Sequence, residues 1–213
     1  MNVLFENRDV IVCEKPINVL SEEHEKNENM PKLIREHLGD NSHYIGVIHR
    51  LDREVGGIMV YAKNEKAAAF LSRQVQSRSF KKEYLAVVPG IPEEKEGEYV
   101  DLLFKDSKKN KSYVVKRMRK GVKEASLNYK LLKTAVDLSL VWIKLNTGRT
   151  HQIRVQFSNR KMPLLSDTKY GGEKRKCSIS LWSYKLSFIL PDTKEEKEFE
   201  LLPPLKYPWE LFK

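Results

Sequence analysis

Apolar and polar positions alternate in short runs along most of this chain, a rhythm that predicts strands more often than helices. "VLFENRDVIVCEKP" holds two apolar runs about "ENRD" and predicts an opening hairpin. "YIGVIHR" and "GGIMVYAK" predict strands on either side of a charged stretch, and "KKEYLAVVPG" predicts a strand stopped by Pro-Gly. "SLNYKLLKTAVDLSLVWIKLN" breaks at "AVD" into two β-rich runs, and "WSYKLSFILPDTKEEKEFEL" predicts a last hairpin about "PDT". Helical spacing is rarer. "MPKLIREHLG" puts Leu33, Ile34 and Leu38 on one face and ends at Gly39. "EKAAAFLSRQVQSR" turns Ala67, Phe70, Leu71 and Val75 inward behind Asn64, a good cap. "TGRTHQIRVQFSNRK" opens with a turn and continues as a short helix, while "PINVLSEEHEKNEN" reads as loop. No internal repeat stands out. The pattern predicts an α+β fold with a mixed, largely antiparallel sheet and flanking helices.

Composition narrows the class. The 213 residues suit a single catalytic domain, 1–213, whose length also admits two lobes about a cleft, with no separate N-terminal RNA-binding domain expected. An apolar share of 40% supplies a core. No run reaches the roughly 18 apolar residues of a membrane span, so no membrane partner is expected. The N-terminus lacks the layout of a signal peptide. Cys13 and Cys177 are far apart and neither lies in a CxxC, which points to a reducing, cytoplasmic setting without disulfides or structural zinc. The net charge of +10 favours polyanions, nucleic acid first among them. The charge is also clustered: "SKKNKSYVVKRMRKGVK" (107–123) is rich in Lys and Arg and contains no acid.

Three stretches carry candidate chemistry. In "VIHRLDREVGG" (47–57), Asp52 stands between Arg50 and Arg53, and a carboxylate beside a guanidinium stays ionised and usable as nucleophile or base. A surface turn with a local ion pair would read the same way, but the apolar runs on both sides and the pair Gly56-Gly57 argue for a core setting. In "TGRTHQIRVQF" (147–157), Arg149, Thr150, His151, Gln152 and Arg154 gather donors at a helix start, a place suited to phosphate; a capped helix with exposed basic residues fits equally well. His49 and His151 have no Cys or acid at ligand spacing, so no metal is expected. In "KKEYLAVV" (81–88), Tyr84 shares a strand face with Lys82 and Ala86; a strand tyrosine usually packs, yet its ring can stack on a base and its hydroxyl can move a proton.

Taken in order, "HRLDREVGGIMVYAKN", "KKEYLAVVPG", "KEASLNY", "TGRTHQIRVQF" and "PLLSDTKYGG" resemble the motif series of the RluA-type RNA pseudouridine synthases, and the opening hairpin and closing strands extend the resemblance over nearly the whole chain. The resemblance implies a pseudouridine synthase fold with a central RNA-binding cleft. It implies an isomerase that converts a uridine of tRNA or rRNA to pseudouridine without a cofactor. Asp52 matches the essential aspartate that drives cleavage of the N-glycosidic bond. Tyr84 matches the tyrosine that stacks on the base and moves a proton, and Arg154 the arginine that pairs with the aspartate. Ile153 and Leu165 match apolar neighbours that line the pocket. Arg50 matches the arginine that fills the space of the flipped nucleotide, and His49 reads as structural. RNA contacts are expected from Arg50, Arg149, His151 and Gln152, and from Lys116, Arg117, Arg119 and Lys120 in the 105–123 loop. The expected partner is RNA, and the protein is expected to act as a monomer.

The chain departs from that pattern in three places. Val55-Gly56-Gly57 replaces Thr-Ser-Gly after HRLD, Ser166 replaces the Gly before Asp167, and Leu181-Trp182-Ser183 replaces Leu-His-Ala. Two rival readings follow: an RNA-binding protein of the same fold without catalysis, and a glycoside hydrolase using Asp52 and Glu54, which lie too close along one strand for that chemistry.

Overall fold

A computed structural model describes residues 1–213. In chain order its elements are β1 (Val3–Glu6), β2 (Val10–Lys15), α1 (Met30–Leu38), β3 (Gly46–Val47), β4 (Gly56–Ala62), α2 (Glu65–Gln76) and β5 (Lys81–Pro89). There follow β6 (Glu96–Asp106), β7 (Lys111–Val115), β8 (Val122–Ala135), β9 (Leu138–Leu145), α3 (Gln152–Asn159), β10 (Leu181–Ile189) and β11 (Glu196–Glu200). The chain divides into two units: residues 1–82 with 182–203, and residues 83–181 with 204–213.

In the first unit, β2 pairs antiparallel with both β1 and β4, from Val10↔Ala62 to Lys15↔Gly57. The start of β10 runs parallel to β4 through Trp182↔Gly56 and Ser183↔Gly57, and the rest of β10 pairs with β11. All seven residues of β4 are buried, so this strand is covered on both faces. On one face Val10, Val12, Ile58 and Val60 meet Leu71 of α2 together with Phe80, Leu186 and Phe188. Fully burying each aliphatic side chain contributes about 1.5–3 kcal/mol. The helices begin and stop where the pattern predicts. Asn29 accepts the Lys32 N–H and Asn64 the Ala67 N–H, and α1 ends at Gly39 with φ 67°.

In the second unit, β5, β9, β8, β6 and β7 pair in that order, every neighbour antiparallel. The turn "AVD" joins β8 to β9 with Val136 at φ 54°, fully exposed. Phe157 of α3 packs edge-on against Tyr99 of β6 and Tyr129 of β8.

The predicted fold class is the observed one: mixed α+β with mostly antiparallel sheet. Two local expectations are corrected. Of "YIGVIHR", only Gly46–Val47 is strand, because the chain then leaves β4 and the Leu51 N–H goes to the Ser21 hydroxyl. The 105–123 segment is not a loop. It holds the end of β6 and all of β7, paired from Leu102↔Val115 to Asp106↔Lys111, with a turn at 107–110 before β7 and the connection 116–121 after it. In β6 polar residues line both faces, so cross-strand register defines it rather than an apolar rhythm.

Candidate active site

Asp52 lies half-buried on the loop between β3 and β4, and the loop is held mainly through its backbone. Ser21 Oγ donates to Leu51 O at 2.8 Å and accepts the Leu51 N–H at 3.0 Å, and Tyr61 Oη fastens Ser21 by donating to its carbonyl. On the other side of Asp52, Arg53 O accepts the Asn18 N–H at 2.8 Å and Lys15 Nζ at 3.2 Å. Val55 N donates back to Asp52 O, closing a tight turn.

Lys15, at the end of β2, is the anchor of this loop that the sequence did not reveal. Its side chain is fully buried, and its Nζ also donates to Pro16 O and Val19 O. Burial pushes its pKa down to about 7, and the charge of Asp52 pulls it back up. Three carbonyl acceptors match the three N–H bonds of an ammonium, so geometry as well as Asp52 favours the charged form. No local signal in "CEKP" marked it: lysine is almost never fully buried unless its charge is satisfied, and the burial and the three acceptors appear only in the fold.

The sequence neighbours of Asp52 turn elsewhere. Arg50 is exposed and pairs with Glu22 at 3.0 Å, and Arg53 Nε donates to Asn18 O. The expectation that an adjacent arginine holds the carboxylate is therefore corrected for these two. The tight turn closed by Val55 N and Asp52 O, and the bonds to Glu22 and Asn18 O, carry these two side chains to other partners, so sequence proximity does not make an ion pair. His49 is structural, as expected: it is buried against Phe80, its Nε2 accepts the Val60 N–H, and burial, with a smaller push from Lys82, lowers its pKa to about 3.

The departures at 56 and 182 meet. Trp182 stands opposite Gly56 in the parallel register, and a Cβ on Gly56 would lie 2.5 Å from its ring. The Trp182 indole N–H donates to Leu201 O, which fixes the ring over the glycine. Gly57, at φ 120°, faces the Ser183 backbone so closely that no Cβ fits, and Ser183 Oγ donates to Ile58 O. A larger aromatic on β10 thus takes the space that a serine at 56 would need.

The second unit carries Tyr84 and Arg154. Tyr84 is buried on β5, opposite Ile143 of β9. Arg154, in the first turn of α3, makes a fork with Asp167: Nε to Oδ2 at 2.7 Å and Nη2 to Oδ1 at 2.8 Å, with Asp167 wholly buried. Such two-pronged pairing fixes the guanidinium plane. Arg154 also lies over the Tyr170 ring at 5.2 Å, and the Tyr170 hydroxyl meets His151 Nδ1 at 2.9 Å. His151 opens α3 in the left-handed conformation, φ 53°.

Gln152 does not face solvent. It is buried, takes Thr147 Oγ1 and the Arg149 N–H on its Oε1, and donates to Ser126 O, so it builds the turn before α3. Arg149 Nε donates to Glu124 O. Ile153 and Leu165 are buried, Leu165 in a cluster with Val87, Leu138 and Phe212. Lys116, Arg117, Arg119 and Lys120 sit together, all exposed, in the turn from β7 to β8, with Arg119 over the Phe104 ring at 5.1 Å.

A model of the RNA pseudouridylate synthase family matches residues 9–159. An uncharacterized RNA pseudouridine synthase of Aquifex aeolicus is 32% identical over 96% of this chain and 70% of its own length. Ribosomal large subunit pseudouridine synthase D of Borreliella burgdorferi is 31% identical over 86% of this chain and 60% of its own length. The chain thus spans about 60 to 70% of the length of these relatives. Human RNA Pseudouridylate Synthase Domain Containing 4 superposes with a TM-score of 0.79 over 95% of this chain and 88% of that one, at 21% identity, and so shares the fold. The built loop around Asp52, the forked Arg154 and the match across most of the chain agree: this protein belongs to the RluA-type RNA pseudouridine synthase family.

Proposed function

We propose that this chain isomerises a specific uridine of tRNA or ribosomal RNA to pseudouridine, with Asp52 as the catalytic carboxylate. The observation that carries the reading is the loop itself: Asp52 is half-buried on a turn tied by backbone bonds on both sides and bordered by the buried ammonium of Lys15. In the proposed reaction the N1–C1′ bond breaks, uracil turns, and C5 bonds to C1′. The C5 proton leaves and N1 ends protonated, so atoms and electrons balance without cofactor or oxidant. Asp52 acts on the ribose, as nucleophile at C1′ or as base. Tyr84 stacks on the base and moves a proton. Arg154 is the proposed partner of the Asp52 carboxylate, held for that role by Asp167.

A uridine in a stacked helix offers C1′ and C5 to no enzyme at once, so the nucleotide must leave its stack. Arg50 is proposed to occupy the vacated space. Arg149, His151 and the cationic turn 116–120 are proposed to hold the RNA backbone, whose affinity then falls with salt. The protein is proposed to work as a monomer in the cytoplasm.

The test uses total RNA from cells lacking this protein, treated with wild type or with Asp52→Asn, and maps pseudouridine at single-nucleotide resolution. A site that forms with wild type alone supports the activity, the role of Asp52 and the RNA class together. Sites formed equally by both proteins would remove Asp52 from the chemistry. No new site with either protein, given measurable RNA binding, would replace the enzyme by a non-catalytic RNA-binding protein.

A further inference from the structure

Tyr170 is buried in the short turn after Asp167, and it joins parts of the second unit that the proposed function treats separately. Its hydroxyl accepts the Ser112 N–H of β7 at 2.8 Å and meets His151 Nδ1 at 2.9 Å. One face of its ring takes a share of the Arg154 guanidinium, centred 5.2 Å away, and Lys111 Nζ lies 5.0 Å from the same ring. The His151 ring stands edge-on to it, with centroids 5.6 Å apart and planes at 89°. Its carbonyl accepts Ser158 Oγ from the far end of α3 at 2.6 Å. A second strap runs beside it: Ser112 Oγ donates to Thr150 O at 2.7 Å, one residue before the left-handed His151. A third joins Lys169 Nζ to Asn110 O, in the turn that leads into β7.

These contacts make a rigid joint. β7 is the strand that leads directly into the cationic turn 116–120, and α3 carries Arg154 in its first turn. Apolar packing closes the joint, since Tyr170 clusters with Leu103, Ala125 and Val155. A load on the hairpin therefore reaches the start of α3 through the buried Tyr170 phenol and the Ser112–Thr150 strap beside it, and strained backbone at His151 stays in place only while its neighbours hold it.

We propose that Tyr170 is a positioning residue that couples RNA engagement by the β7–β8 hairpin to the orientation of Arg154. The inference rests on the proposed roles of that hairpin and of Arg154. In the free protein Tyr170 sets the plane of the guanidinium together with Asp167. When RNA seats on the hairpin, the Ser112–Tyr170–His151 connection carries that seating to the first turn of α3, so turnover responds to contacts made by side chains distant in sequence from Arg154. Coupling of this kind is a free energy between two sites, and it is measured by the non-additivity of paired changes.

The experiment compares wild type, Tyr170→Phe, a hairpin variant with Lys116, Arg117, Arg119 and Lys120 all changed to Gln, and the combination. The first readout is single-turnover pseudouridine formation at saturating RNA, beside RNA affinity. Tyr170→Phe keeps the ring and removes the two hydroxyl bonds. It is expected to slow turnover about tenfold while affinity stays within about twofold. The hairpin variant is expected to slow turnover in wild type and to add distinctly less once Tyr170 is Phe, the Ser112–Thr150 strap carrying the remainder. Multiplying effects, an unchanged rate in Tyr170→Phe, or equal losses of rate and affinity would each overturn the proposal. Ser112→Ala cuts the parallel strap to Thr150 and is expected to give a weaker loss of the same kind, about threefold; no loss would count against it.

The second readout needs no catalysis: amide exchange of residues 152–157 on adding ribosomal RNA fragments. Protection that appears in wild type and is lost in both Tyr170→Phe and the hairpin variant supports the coupling. Equal protection in Tyr170→Phe overturns it. Failure of the wild type to form pseudouridine in any RNA would sink the proposed function, and the exchange result would still decide the joint.

Discussion

The loop that carries Asp52 is held by its backbone, whereas the first turn of α3 is held by side chains. On the loop, Leu51 and Arg53 are tied at their peptide groups by Ser21, Asn18 and Lys15, and the side chains of Arg50 and Arg53 turn to other partners. On α3, a fully buried carboxylate grips Arg154 by two bonds, and Tyr170 and Gln152 fill in around it. The loop should therefore tolerate changes at its charged positions and fail when its few anchors go. The helix start should fail wherever one member of the buried Arg154–Asp167 fork is removed, because the survivor loses a two-pronged buried charge partner.

The sharpest way to break this contrast is Asp167→Ala. It removes both bonds of the fork from the buried Arg154 guanidinium and is expected to cost roughly 3–5 kcal/mol, read as a lowered midpoint in chemical denaturation. A loss below about 1 kcal/mol would mean that the fork contributes little to holding α3. Next comes the loop anchor. Lys15→Met keeps the buried stem and removes the Nζ bonds to the carbonyls of Pro16, Val19 and Arg53, of which Pro16 and Arg53 keep a backbone N–H donor, an expected loss of about 1–3 kcal/mol. A wild-type midpoint for Lys15→Met would break the idea of a loop held by its backbone.

Gly56→Ser tests the contact between two departures from the family pattern. The added Cβ meets the Trp182 ring, so overpacking is expected to cost about 1–3 kcal/mol, measured by thermal melts. Trp182→His in the same protein is expected to recover most of that loss. If the double variant is no better than Gly56→Ser alone, the two positions are independent.

The last prediction concerns pH, and at neutral pH it leaves stability unchanged. His49 is held near pKa 3 in the fold by burial, against about 6.5 when unfolded. Its contribution is therefore complete above pH 6.5 and is lost as pH falls toward 3, with a slope approaching 1.4 kcal/mol per pH unit at about pH 4–6. His49→Gln removes that titration, so its stability should fall less steeply with acid than that of wild type. Parallel curves would show that the ring does not stay neutral in the fold.

Much of this arrangement was legible in the residues. The apolar runs "VIVCEK" and "GGIMVYA", the Asn64 cap and the "AVD" break led to the right elements, because apolar run length and turn chemistry act within a few residues. Ordered motifs pointed to Asp52, Tyr84 and Arg154. The cationic turn 116–120 is exposed, as its composition required.

Other features depend on partners far apart in the chain, and no local pattern encodes them. β6 is a strand because Val122–Lys130 lies beside it, not because its own residues alternate cleanly. Gln152 and Arg149 stand three residues apart in one motif, yet one is a buried strut and the other half-exposed, since Arg149 lies in the turn before α3 and Gln152 folds back to bond that turn. Lys15 is charged chemistry in an opening strand that reads as ordinary, and only the fold supplies its three carbonyls. Trp182 and Gly56 are 126 positions apart, and only strand register shows that the size of one sets the smallness of the other. The sequence by itself thus determined the elements, the charge and the candidate carboxylate, all of which follow from local chemistry. Tertiary structure alone decided which groups hold that chemistry still, because burial and directional bonding arise only when distant segments are brought into contact.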